Sequence, residues 1–189
     1  NGPVSKITTA SPTYISVEVH IRGRAAHAGV EPEKGLSAIK IATEIISLLP
    51  QGRIDEETTI NVGTISGGSV RNAVPEEASF SGEFRSRNTE TLDLLKLQVL
   101  DAIKFAKDKY QDAIISEELT VEFQMYTLGE NDPMVEAAWR ILRLLELEPE
   151  LGPSGGGTDA NIFNRAGIRC AVVGMATREM HTVREHVVI

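Results

Sequence analysis

From Tyr14 to Ile21 apolar and polar residues alternate, with Ile15, Val17, Val19 and Ile21 on one side and Ser16, Glu18 and His20 on the other. This period of two predicts a strand with one buried face. After the polar stretch 22–34, Leu36, Ile39, Thr43, Ile46 and Leu49 recur at three- and four-residue spacing until Pro50 and Gly52, which predicts an amphipathic helix and its stop. The β-branched run 58–65, halted by Gly67-Gly68, predicts a second strand. Ala78, Phe80, Gly82 and Phe84 alternating with Ser79, Ser81, Glu83 and Arg85 predict a third. Asn88 or Thr89 can cap a helix with the stripe Leu92, Leu95, Val99, Ile103, Ala106 and Tyr110. Leu119, Val121, Phe123 and Met125 then predict a fourth strand.

The order βαββαβ is the ferredoxin-like, split βαβ arrangement, in which both helices cover one sheet face and the other is free for solvent or a partner. Enzymes, regulatory modules and nucleic-acid binders all use it, so it does not name a function. The tail departs from the pattern. Asp132-Pro133 is an N-cap followed by proline at the first helical position, and Val135, Trp139, Leu142 and Leu145 form the stripe behind it. A glycine-rich segment, a short helix over 160–166, Gly167 as its stop and a strand over 170–173 follow. Two helices and one or two strands are too few for an independent α/β domain. The expected class is therefore α+β: a ferredoxin-like domain followed by an incomplete α/β segment.

Composition narrows the function classes. Of 189 residues 41% are hydrophobic and 24% charged, the profile of a folded chain. The 27 acidic residues outweigh 19 basic ones for a formal charge of −8, the wrong sign for a phosphate-binding surface, and nucleic acid is not an expected partner. No run approaches the roughly 18 apolar residues of a spanning helix, so no membrane partner is expected. The start, Asn1 to Lys6, lacks the basic and apolar regions of a signal peptide. The single cysteine, Cys170, cannot form an internal disulfide, which points to a reducing compartment, the cytoplasm.

Several short segments carry candidate chemistry, each beside a plainer reading. Gly23-Arg24-Ala25-Ala26-His27-Ala28-Gly29 is either a flexible connector with a surface histidine or a loop presenting one imidazole to an oxyanion or carbonyl. Gly155-Gly156-Gly157-Thr158-Asp159 is either an N-cap loop or a turn whose exposed N–H groups bind an anion or a peptide backbone. It lacks the lysine of a P-loop. His181 and His186 stand five apart rather than the four of a zinc-binding helix, leaving one of them as a single metal ligand. Asn72, before Ala73-Val74-Pro75, is a turn residue or a polar contact for a ligand. Arg85 is a solvated strand end or a carboxylate clamp. The doublets Glu56-Glu57, Glu76-Glu77 and Glu117-Glu118 read as surface turns, and Cys170 as a small buried hydrophobe.

Taken in order, the blocks 23–29 with Glu31-Pro32-Glu33-Lys34-Gly35, Asn72-Ala73-Val74-Pro75, Glu83-Phe84-Arg85, Ser154 to Ala160, and His181-Thr182-Val183-Arg184-Glu185 resemble the dinuclear-zinc peptidases that include peptidase T, carboxypeptidase G, aminoacylase and succinyl-diaminopimelate desuccinylase. The Glu-Pro-Glu-Lys-Gly continuation and the His-Thr-x-x-Glu ending are most similar to the peptidase T-like branch. The resemblance implies a ferredoxin-like lid that mediates homodimerisation, over residues 12–126, and the C-terminal part of a catalytic domain, incomplete, over residues 129–189. It implies that His27 is catalytic, stabilising the oxyanion in the partner subunit's site, and that Asn72 and Arg85 hold a short peptide substrate. Gly156, Thr158 and Asp159 would line the peptide cleft, and His181 would be the last zinc ligand, with Glu185 beside it.

In such enzymes two zinc ions activate a water for attack on the scissile carbonyl while a nearby Glu takes its proton. The family's His-x-Asp pair, bridging Asp and Glu-Glu segment precede the lid, and none of the four histidines here is followed by x-Asp. The resemblance therefore implies a fragment of a zinc exopeptidase that does not retain zinc and is inactive by itself. Its apolar tail stripes around Trp139, Leu142 and Val172 would be left exposed. The competing expectation is a non-catalytic ferredoxin-like dimerisation or small-ligand-binding module.

Overall fold

The computed structural model describes residues 2–180 and 182–187. In chain order the elements are β1 (Lys6–Ser11), β2 (Thr13–Arg22), α1 (Ala38–Leu48), β3 (Gly52–Arg53), β4 (Thr58–Gly67), β5 (Glu77–Ser86), α2 (Thr89–Lys109), β6 (Ile114–Phe123), β7 (Tyr126–Thr127), α3 (Pro133–Leu144), β8 (Glu150–Pro153), α4 (Asp159–Arg165), β9 (Val172–Val173), β10 (Thr177–Arg178) and β11 (His186–Val187). They form two compact units, one of residues 14–122 and one of residues 1–13 with 123–189.

In the first unit the strands lie in the order β3-β4-β5-β2-β6, the ferredoxin-like order with one short strand added at an edge. The alternation along β2 sorts as its sequence requires: Ile15, Val17, Val19 and Ile21 are buried, whereas Glu18 and His20 are exposed. The buried side packs on Ile41 and Ile45 of α1 and on Leu95, Val99 and Ile103 of α2, together with Phe80 and Phe84 of β5. Both helices therefore cover one face. Each starts on a side-chain cap: Ser37 accepts from the Lys40 N–H (3.2 Å) and Asn88 from the Thr91 N–H (3.0 Å), each satisfying a donor left over at a helix start. The other face is polar, with pairs such as Thr64 Oγ1 and Ser81 Oγ at 2.7 Å.

The last strand of this unit begins five residues before its sequence-based start at Leu119. Ile115 is buried and Leu119 packs on the core, but Glu117 stands between them, which hid the alternation. Its carboxylate accepts from Lys107 Nζ of α2 at 2.6 Å, and this pairing lets an acidic residue occupy a helix-facing position.

The second unit is built around β1, which pairs antiparallel with β7 and β9 and parallel with β8. Ile7 is fully buried and packs with Val135 and Leu142 of α3. Asp132 caps α3 by accepting from the Met134 N–H (2.9 Å) and pairs with Arg169 (2.7 Å). This corrects the expectation of an exposed Leu142: β1, a strand with one large apolar residue, covers it. Trp139, Leu144, Leu145, Ile162 and Phe163 are exposed.

Candidate functional site

At the end of β2 the chain turns into residues 23–29, and three backbone bonds tie this loop to the segment between β4 and β5. The Gly23 N–H donates to Glu76 O (2.7 Å), Ala28 N–H to Asn72 O (2.9 Å) and Val74 N–H to Ala26 O (2.9 Å), so His27 and Ala73 face each other in an antiparallel bridge. Two glycines permit the approach. A Cβ on Gly23 would stand 2.0 Å from Leu36 O, and one on Gly35 2.7 Å from Val74 Cγ2. The fold thus brings His27 and Asn72, far apart in the chain, onto adjoining strands of one loop pair.

Both side chains are exposed. The Gly29 N–H donates to Nδ1 of His27 at 3.2 Å. In the neutral ring this places the remaining proton on Nε2, which becomes an outward-facing donor. An open cleft of about 600 Å³ adjoins the loops, lined by His20, Arg22, Ser66, Val70, Val74 and Glu76 among others.

Arg85 stands elsewhere. It lies near the end of β5, about 30 Å along an extended chain from Glu76, which precedes that strand. Its guanidinium donates to Glu83 Oε2 (2.7 Å) and stacks over the Tyr14 ring, 4.5 Å from its centroid. Burial, then the Glu83 carboxylate, push the Tyr14 phenol up. The Arg85 Nε atom is buried without a hydrogen-bond partner.

Gly156, Thr158 and Asp159 share a turn in the second unit. A Cβ on Gly157 would stand 2.1 Å from Phe123 Cζ, so the turn lies directly against that ring. Ser154 Oγ accepts from the Gly156 N–H, and Asn161 Oδ1 from the Thr158 N–H, both at 3.0 Å. Gly156 and Thr158 are half-buried, and Asp159 is exposed at the start of α4. The hydroxyls of Tyr126 and Thr158 are both buried. Burial first, and the neighbouring Cys170 second, raise the Tyr126 phenol, while Thr158 opposes them. Asn161, 1% exposed, carries more of this turn than sequence reasoning assigned to it. The usable signal was a polar amide three residues after a cap threonine, the spacing of a capping box.

Cys170 is half-buried, its N–H donating to Asn164 Oδ1 at 3.2 Å, in a structural setting. His181 lies outside the described residues. Among those described, no three His, Cys, Asp or Glu side chains converge on a metal position, so they do not by themselves fit a dinuclear zinc centre. No helix among them is long and apolar enough to cross a membrane.

Residues 9–111 match the peptidase dimerisation domain of the M20 family. The chain is 38% identical over 186 residues to the uncharacterized protein YqjE of Bacillus subtilis, covering 98% of this chain and 50% of that one. Aminopeptidase PepT of Bacillus cereus superposes with a TM-score of 0.85 at 36% identity, and a tripeptidase of Staphylococcus aureus with 0.89 at 29%, each over 98% of this chain and 49% of the other. The chain spans about half the length of the proteins it matches. With the ferredoxin-like sheet and the loop pair of His27 and Asn72 in place, it belongs to the M20 peptidase family, in the peptidase T-like branch.

Proposed function

We propose that these residues supply the lid and part of the catalytic domain of a zinc-dependent exopeptidase that hydrolyses short peptides in the cytoplasm, a tripeptide aminopeptidase of the peptidase T kind. Residues 12–126 are the lid, which joins two copies as a homodimer, and residues 129–189 belong to the catalytic domain. His27 is the catalytic residue of the lid. Its Nε2–H donates to the oxyanion that develops in the partner subunit's site, where a fixed donor is worth most. Asn72 and Arg85 hold the substrate, Gly156, Thr158 and Asp159 line the cleft, and His181 is a zinc ligand. One histidine cannot complete a catalytic zinc site, which takes about three protein ligands, so the 189 residues are inactive by themselves.

The observation that carries this reading is the His27–Ala73 bridge. It displays His27 and Asn72 at the end of the sheet remote from Tyr14 and Glu122, where the chain crosses between units, whereas Arg85 stands beside Tyr14. A histidine displayed far from its own chain's crossings suits action on a second copy.

Tripeptide hydrolysis with zinc tests the proposal. A full-length form is expected to turn over, and His27→Ala to lower its kcat by about 10²- to 10³-fold at unchanged zinc content. An unchanged rate removes His27 from the oxyanion role. Tight stoichiometric zinc binding and turnover by the 189 residues alone, abolished by His181→Ala, overturn the inactivity.

A further inference from the structure

The chain leaves the second unit after Thr13 and returns at Phe123. One buried side chain, Asn161, is bonded next to both crossings and to the glycine turn. Its Nδ2 donates to Pro12 O (3.4 Å), between β1 and β2, and to Gln124 O (2.8 Å), between β6 and β7. Its Oδ1 accepts from the Thr158 N–H (3.0 Å) and lies 3.0 Å from the Ser11 hydroxyl, which is also 3.0 Å from Gly156 O. Both Nδ2 hydrogens are thus engaged, and Oδ1 accepts from Thr158 and shares the single Ser11 proton with Gly156 O.

Two further contacts tighten the same knot. The crossings are bonded to each other, because the Met125 N–H donates to Thr13 Oγ1 at 3.0 Å. Gly157 rests on the Phe123 ring with no room for a Cβ, so the turn cannot shift without the last residue of β6. A network of fully engaged buried bonds has few intermediate arrangements, and displacing one member is felt by the rest.

We propose that Asn161 is a positioning residue that couples the Gly156–Thr158 turn to the two strands on which the lid is carried, so that the course of the crossings and the shape of the turn change together. A peptide that orders the turn then also sets the crossings, and by linkage a change at the crossings alters affinity at the turn. That the turn receives a peptide rests on the proposed function. The coupling itself is measured without ligand, so the two can fail separately.

Amide hydrogen exchange on the 189-residue chain tests it. Thr13→Val removes the acceptor for Met125 and touches no residue of the turn. It is expected to speed exchange of the Thr158 amide about tenfold, the effect of losing one net hydrogen bond's protection. In an Asn161→Asp background, which keeps an acceptor for Thr158 but loses the donors to Pro12 and Gln124, Thr13→Val is expected to leave Thr158 unchanged. Ser11→Ala, which removes the hydroxyl shared by Gly156 O and Asn161 Oδ1 but leaves both Asn161 donors in place, is the second background should Asn161→Asp not fold, and there the response is expected to shrink. A Thr158 amide indifferent to Thr13→Val, or one that responds equally in every background, overturns the coupling. A merely structural asparagine lowers protection throughout the unit and leaves the response to Thr13→Val intact.

Discussion

The backbone N–H of Gly29 donates to Nδ1 of His27 across 3.2 Å, and that bond determines which ring nitrogen is displayed as a donor. The neutral ring carries one proton, and with Nδ1 accepting, it resides on Nε2. Nitrogen NMR of the 189-residue chain above the titration range of histidine is expected to show the Nε2–H form at His27. Gly29→Pro, which removes the donor, is expected to give a mixture. A dominant Nδ1–H form in the unaltered chain contradicts the assignment.

Action across a dimer makes a statistical prediction. If His27 serves the partner's site and Arg85 its own, His27→Ala and Arg85→Ala full-length subunits are each impaired, yet random mixing restores one intact site in four, roughly a quarter of normal activity. Tripeptide hydrolysis after mixing and re-equilibration measures this. No recovery beyond the separate variants argues that both residues act on one site of one subunit.

The approach that seats His27 is steric. Gly35 has φ −85°, which alanine adopts freely, but its Cβ would stand 2.7 to 2.8 Å from three Val74 side-chain atoms. Gly35→Ala is expected to cost about 1–3 kcal/mol from overpacking, most of it recovered by adding Val74→Ala. Urea unfolding of the four variants of this cycle gives the coupling, and simple additivity would rule out the contact as the cause.

Glu44 joins α1 to the end of α2, accepting from Lys109 Nζ and from Tyr110 Oη, the latter at 2.5 Å. The Lys109 bond first, and the Tyr110 bond second, hold its carboxyl below the usual range. A carboxyl depressed on folding adds stability above its unfolded pKa and loses that contribution as pH falls through the folded value. The gap between the unaltered chain and Glu44→Gln in thermal melts is therefore expected to be full at neutral pH and to close as pH drops below about 4. Because the Lys109 end of the pair is open to solvent, salt should narrow it too. A gap that widens toward acid refutes the assignment.

Local pattern and tertiary pairing contributed differently to this molecule. The alternations of β2 and β5, the stripes of both long helices and the caps Asn88 and Asp132 are legible in the residues, because side-chain direction repeats every two or about 3.6 residues whatever lies beyond. They suffice for the α+β class and the ferredoxin-like order. The start of β6 was hidden because Glu117 breaks the apolar alternation and is tolerated only through Lys107, a residue of another element. β1 was hidden because Ile7 is its one large apolar residue. Its central place comes from partners at Tyr126, Leu151 and Val173.

The candidate site divides in the same way. The residue types of the loop 23–29, of Asn72 and of the glycine turn could be read one by one from the sequence. That His27 and Asn72 share a bridge, that Arg85 stands at the other end of its strand, and that Asn161 binds the turn to both crossings were decided only in the tertiary structure. Those relations rest on backbone groups meeting across long stretches of chain. Every non-proline residue carries the same N–H and C=O, so nothing in its identity says which distant segment it will meet.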